Sequence, residues 1–400
     1  MHVFIITQYF PPEVGAAASR WGDFSKILVK NNYKVTVLCE SPHYPFSDYY
    51  KGYNNSWSRI EKSNKNLTII RSKAYASNRK TFYKKILHYT IFTIGSIFNF
   101  KKVKNFDLLI ISSPPLFTGI IGLFINMFYK KRYWLDVRDL WPDSALELGQ
   151  VKKGLLYYLG KKLESKIYES AEGFIFPVPS FKSYLKSFPK KISKKPMIEL
   201  MNGVSNDFLE ESHSMKISSD SKFTVLYSGN MGLAQDLKTI IDCAELLKNY
   251  DIEFRFVGEG VCKVEIETLA NHSSKKIHFH KPQSRKNLIK YIKKSSVCLV
   301  PLKNKKIFKS AIPSKMFEYM ACSKPIIVSA KGDAKKIVND SKAGIAIEPE
   351  NAKMLSKAIL KYFNDSRKCE KDGQNGMTYI TKNLSKEVLI SRAMDRIKFE

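Results

Sequence analysis

The chain has 400 residues, 44% hydrophobic and 26% charged, with 67 Lys and Arg against 37 Asp and Glu, a net charge of +30. At roughly 100–200 residues per domain two cores are expected, with the composition of a soluble globular protein. The charge bears on partners and solubility rather than on fold: it suits nucleic acid, an anionic membrane surface or a nucleotide diphosphate, and part of it is bland enrichment in Lys.

The elements alternate. The N-terminal run "HVFIIT" (2–7) is too short for a signal peptide, lacks a basic start, and reads as a buried parallel strand. The Pro/Gly turn "QYFPPEVGAAAS" leads into a helix to about Asn31. Strands follow at 34–40, 107–113, 133–139 and 173–179. Around 190–222 the chain turns polar and irregular, which marks a domain junction. The second half restarts at "FTVLYSG" (223–229). An amphipathic helix is expected over 237–249, with Leu237, Ile240, Ile241, Ala244 and Leu247 on one face. Further strands are expected at 252–258, 276–280, 296–302, 325–330 and 344–349. Strands separated by single helices predict parallel, helix-covered sheets, so the fold class is α/β with two Rossmann-like domains. Ligands in such folds bind outside the carboxyl ends of the strands, and the cleft between domains is the default site. Six scattered cysteines without C-x-x-C pairs argue against a zinc or disulfide scaffold and for a reducing compartment. Nothing reaches the about 18 apolar residues of a bilayer span.

Three strand-to-helix loops could approach a phosphate: "PPEVGAAASR" with Gly15, "YSGNMG" with Gly229 and Asn230, and "VGEG" with Gly258. Glycine in such turns also answers to sterics alone. A fourth stretch, "AIPSKMFEYMACSKPIIVSA" (311–330), reads as a helix running into a strand, with Ser314 able to cap it. Lys315 opposes the helix dipole at that terminus, and an anion bound to the amides of 315–317 would remove the conflict. Glu318, nearly a turn later, could accept both hydroxyls of a ribose. The alternative is an ordinary surface helix.

With these motifs in order, "QYFPPEVGAAASR", "LDVRDLWPDSALELG", "MNGVSNDF", "YSGNMGLAQDL", "FVGEG" and "IPSKMFEYMACSKPI", the chain resembles the retaining GT-B glycosyltransferases of family GT4. The similarity is to the branch that builds bacterial capsule and O-antigen polysaccharides, the fucosamine transferases among them. The resemblance implies an acceptor-binding domain over 1–200, a nucleotide-sugar domain over 201–380 and a helix over 381–400 crossing back to the first. It places Gly15, Gly229, Asn230, the backbone at Gly258 and Glu318 around a donor, with Glu318 on ribose, and the reading of the helix start adds Ser314 and Lys315 to that donor site. It implies no metal or cofactor beyond the UDP-sugar donor. This chain departs from the family in several places. The first of the usual pair of glutamates falls at Ser310, and the diphosphate clamp falls at Asn230 and Gln235, which leaves Lys315 as its replacement. A common glycine is Ser323, and in place of an N-domain His the chain offers Arg138 and Asp139 as catalytic candidates. Asp139 could instead pair with Arg138 or cap a helix, and Arg20 reads as structural.

The implied reaction is retaining transfer of a sugar, an N-acetylated amino sugar by the branch resembled, from UDP to a polyprenyl-diphosphate-linked saccharide. The stretch 79–104, apolar at its centre and flanked by lysines, suits a helix lying on an anionic membrane, or else one packed on the sheet. A cytoplasmic protein peripheral on the inner face of the bacterial cell membrane is expected. The rival readings are a UDP-sugar 2-epimerase on the same fold and a basic nucleic-acid-binding protein. No helix-turn-helix, zinc or RNP-type motif supports the latter, and nucleic acid is not expected as a partner.

Overall fold

The computed structural model of the chain describes residues 1–13, 15–44, 48–76, 82–147, 149, 151–217, 222–271 and 276–399. Its backbone falls into two units, Met1–Met201 with Ile390–Glu400, and Asn202–Leu389.

Among the described residues the first unit holds eight strands: β1 (His2–Ile6), β2 (Lys34–Glu40), β3 (Ser58–Asn64), β4 (Leu67–Ser72), β5 (Leu108–Ser113), β6 (Trp134–Val137), β7 (Gly173–Phe176) and β8 (Met197–Glu199). Their spatial order is β3-β4-β2-β1-β5-β6-β7-β8. All pairs are parallel except β3–β4. Helices cover both faces, so the central strands can be apolar throughout. Val3–Ile6 and all of β5 are buried, with Ile5 paired to Val37 on one side and Ile110 on the other.

The hairpin β3–β4 was not expected, nor was β8. Strand β3, "SRIEKSN", is mostly exposed and charged, as an edge strand tolerates, and a register shift lies between Lys62 and Asn64. Strand β8 is three residues long inside the polar stretch read as a junction.

The second unit holds β9 (Phe223–Ser228), β10 (Ile252–Val257), β11 (Ile277–His280), β12 (Val297–Pro301), β13 (Ile326–Ser329) and β14 (Gly344–Ile347). The order is β11-β10-β9-β12-β13-β14, all parallel. The amphipathic face predicted after β9 is real: Leu237, Ile240, Ile241, Ala244 and Leu247 are all buried against this sheet.

Parallel strands put their carboxyl ends on one edge, with β3 alone among the named strands running the other way. In each sheet the strand order reverses once near the middle, at β1/β5 in the first and β9/β12 in the second. A crevice opens at such a reversal because the flanking connections leave in opposite directions. Among the described residues no helix is long and apolar enough to cross a membrane.

Candidate functional site

The second unit's reversal point collects most of the expected donor residues. Strand β9 ends at Ser228, and Gly229 follows at φ +110°, a backbone angle suited to glycine. Its N–H donates to Val257 O at 2.9 Å and Met231 N–H to Glu259 O at 2.7 Å, so the loops after β9 and β10 are laced together. A Cβ on Gly258 would lie 2.0 Å from Gly229 O. Gly258 is therefore required by loop-to-loop packing: its missing side chain makes room for Gly229. Asn230 is exposed, and its carbonyl accepts the Tyr227 hydroxyl at 2.5 Å. Gln235, at the other clamp position, accepts Gly232 N–H through Oε1 at 3.2 Å.

The helix Ser314–Ala321 follows β12 and enters the same crevice. Ser314 does not cap it. Pro313 takes the cap position with an extended backbone, no side-chain cap bond is made, and Ser314 is already the first helical residue. The expected anion cradle is also smaller, because Met316 N–H donates to Pro313 O at 3.1 Å. Lys315 turns back along its own helix start. Its Nζ lies 3.9 Å from the centre of the Tyr227 ring, and a Cβ on Gly229 would meet that Nζ at 3.2 Å. The residue as a whole is half-buried, but Nζ itself is enclosed and makes no hydrogen bond among the described residues. Burial pushes the ammonium down to about 7, with Glu318 opposing that shift. The Glu318 carboxyl is pushed up by burial, and Lys315, Arg285 and Lys386 pull it back. An enclosed cation resting on a ring face beside a glycine can exchange the ring for a phosphate oxygen.

In the first unit Gly15 is the exposed residue before the helix Ala16–Lys30, at φ +144°. Arg138 and Asp139 follow β6. Arg138 Nη2 donates to Pro114 O at 3.0 Å, its Nε lies 3.8 Å from Asp136 Oδ2, and burial lowers its pKa against the pull of Asp136. Asp136 is the more engaged acid. It accepts Arg20 Nη2 at 2.8 Å and Nε at 3.2 Å, Trp21 Nε1 at 2.9 Å and Ser112 Oγ at 2.8 Å, all buried. Arg20 is thus structural, held also by Leu200 O at 2.8 Å.

A second buried polar group was not foreseen, because its members are far apart in sequence. Glu13 accepts the N–H groups of Phe10 at 3.3 Å, His43 at 3.0 Å and Tyr44 at 2.9 Å, and burial raises its pKa against these bonds. Beside it, ligand-type atoms of Glu40, His43 and His88 lie within 4.8 Å of one another and could hold a metal ion. Gln8 Nε2 already reaches Glu40 Oε2 at 3.0 Å and His88 Nε2 at 2.6 Å there.

Residues 210–378 match the family described as Glycosyl transferases group 1. The chain is 22% identical over 377 residues to a putative colanic acid biosynthesis glycosyl transferase, WcaI, of Escherichia coli (strain K12), covering 90% of this chain and 91% of that one. Among solved structures it is similar to sucrose-phosphate synthase from Thermosynechococcus elongatus, with a TM-score of 0.73 at 16% identity, covering 100% and 98% of the two chains. It is also similar to HepE of Anabaena, solved in complex with UDP, with a TM-score of 0.65 at 10% identity and 100% of both chains covered. The two sheets have the GT-B arrangement of strands, and the family match over residues 210–378 favours glycosyl transfer over epimerisation or nucleic-acid binding.

Proposed function

We propose, from a chain whose residues 210–378 match the group 1 glycosyl transferases, that this enzyme moves a sugar from a UDP-sugar to a polyprenyl-diphosphate-linked saccharide, with retained configuration, in capsule or O-antigen synthesis. The donor sugar in this reading is N-acetylated and amino-substituted, as in the branch that the motifs resemble. The observation that carries the donor site is Lys315, its ammonium enclosed over Tyr227 and beside Gly229, with Glu318 a turn along the same helix. HepE, solved with UDP, supports a uridine nucleotide in a site of this fold.

In this reading Lys315 leaves the Tyr227 ring for the diphosphate and neutralises the charge that grows as the glycosidic bond breaks. Glu318 accepts the ribose hydroxyls. Gly229 leaves the floor free of a side chain, and Asn230, exposed at the same turn, meets the donor from beside it. Gly15, at the start of the first unit's helix Ala16–Lys30, is the diphosphate candidate that the resemblance supplies. Asp139 orients the acceptor hydroxyl or takes its proton, and Arg138 holds the turn that presents it. The departing phosphate assists that deprotonation on the same face, so the protein mainly positions and stabilises.

The acceptor's lipid calls for a membrane surface. The helix Phe82–Phe100 exposes Leu87, Ile94 and Phe98 in one stripe, while Phe92 and the polar His88, Ser96 and Asn99 are buried on the other side. The helix thus packs through one face, and its other face is apolar and open. Arg79 and Lys80, part of its basic flank, lie outside the described residues.

Calorimetric titration with UDP, GDP, ADP and NAD tests the donor site. UDP should bind, Lys315→Ala should weaken it more than about tenfold, and Glu318→Ala should do likewise while erasing the preference for UDP over its 2′-deoxy form. Unchanged UDP affinity in Lys315→Ala would sink the diphosphate assignment.

A further inference from the structure

The helix Leu155–Ser170 begins with four large apolar side chains in open solvent: Leu155 is 76% exposed, Leu156 63%, Tyr158 58% and Leu159 53%. Single exposed apolar residues mean little, but three leucines and a tyrosine on the first two turns form a patch that calls for an occupant. The fold does not need them. This helix docks through residues further along it, where Gly160, Glu164, Ile167 and Tyr168 are buried. A Cβ on Gly160 would sit 3.1 Å from the Trp141 ring and 3.3 Å from Pro142, so the helix is seated closely there. Asp143 and Glu164 are engaged by Lys161 and Tyr184.

The surrounding charge identifies the occupant. Lys152 and Lys153 are exposed just before the helix. Leu155, Leu159, Lys162 and Lys166 recur at i, i+4, i+7 and i+11, so two apolar positions at the tip give way to two exposed lysines on the same stripe. The acids left exposed are at the margins, Glu147 before the patch and Glu169 beyond it. An apolar tip with cations a turn or two above suits a bilayer, with hydrocarbon taking the leucines and lysines meeting anionic head groups. The helix start also lies on the carboxyl edge of the first sheet, because the crossover returns the chain to the amino end of β7.

We propose that the tip Leu155–Leu159, with Lys152, Lys153, Lys162 and Lys166, is a membrane-insertion element for an anionic lipid surface, separate from the exposed stripe of Phe82–Phe100. The proposal rests on the lipid-linked acceptor reading and gives it a second anchor point.

The test is flotation of the full chain with vesicles of phosphatidylcholine alone or mixed with phosphatidylglycerol. Wild type should float with the mixed vesicles only. Leu155→Asp/Leu159→Asp should weaken that binding by at least about tenfold, and Lys162→Glu/Lys166→Glu should weaken it measurably, with thermal unfolding unchanged in both. Ile94→Asp/Phe98→Asp serves as the comparison. Wild-type vesicle binding in both tip variants, with loss only in the comparison, would overturn the proposal. So would absence of vesicle binding by wild type, or a wild-type dimer in light scattering that Leu155→Asp/Leu159→Asp dissociates, since the occupant would then be a second copy. UDP titration of the same preparations reads the donor site separately. Absence of UDP binding in wild type with vesicle binding intact would sink the UDP-donor reading and leave the membrane tip standing.

Discussion

Tyr319 Oη accepts the backbone N–H of Ser228 at 2.8 Å and lies 2.9 Å from the Ser228 hydroxyl, with both residues buried. One contact thus fastens the helix Ser314–Ala321 to the last residue of β9, one residue before Gly229. It fixes how Lys315 meets Tyr227. Burial holds the Tyr319 phenol well above its ordinary value, so it stays neutral and keeps its hydrogen to give.

Tyr319→Phe should leave the Ser228 amide hydrogen buried without an acceptor, at about 1–3 kcal/mol. Urea unfolding should show this loss, and UDP titration should show weaker binding, since Lys315 is no longer held in register. Unchanged UDP affinity in the destabilised variant would separate the anchor from the site.

Lys315 makes nucleotide binding pH-dependent. Its ammonium sits at about 7 in the free protein, so much of it is neutral just above that pH. A diphosphate favours the charged form, so binding must take up a proton and affinity must fall as pH rises past this value. Calorimetry at about pH 8 in buffers of differing ionisation heat should report uptake of roughly one proton, absent in Lys315→Arg. The same depression has the opposite effect on folding. The unfolded chain holds this proton up to 10.5 and the folded chain only to about 7, so this group's contribution to stability grows with pH between the two.

Ser323 stands where the resembled family has glycine, and it adopts φ +57°. The left-handed backbone closes the helix end, with Lys324 N–H donating to Tyr319 O at 3.1 Å. Ser323→Gly should relieve that strain and raise stability by about 0.5–1 kcal/mol, seen as a higher Tm, at the loss of a weak Oγ contact to Met377.

Asp136→Ala should be among the most damaging changes in the first unit. It strips a buried Arg20 of its carboxylate and leaves Trp21 Nε1 and Ser112 Oγ without their acceptor, a loss of about 3–5 kcal/mol. Asp139→Asn, in contrast, should leave unfolding within about 0.5 kcal/mol of wild type, while turnover falls if Asp139 handles the acceptor proton. Chemical denaturation beside a transfer assay distinguishes them.

Much of the second unit was legible from sequence because its signals are local. Each of its six described strands is a short apolar or alternating run closed by a turn, and each was expected within a residue or two. The charged pair Lys315 and Glu318 stood out against an otherwise apolar helix for the same reason. The first unit was less legible where composition misleads: β3 is charged because an edge strand need not be apolar, and β8 is too short to show a period.

By itself the sequence determined the alternation of strands and helices, the glycine turns after them and the placement of a cation and an acid on one helix, since all depend on neighbours within a few residues. The tertiary structure alone decided the partners. It assigned Asp136 rather than Asp139 to the Arg20 network, gathered Glu13, Glu40, His43 and His88 in one buried group, and made Gly258 a packing requirement of Gly229. It also left Leu155, Leu156, Tyr158 and Leu159 facing water. The physical reason is that burial and desolvation are set by what the fold brings alongside a residue, and they determine which of several similar side chains holds the structure together and which is left open for a ligand.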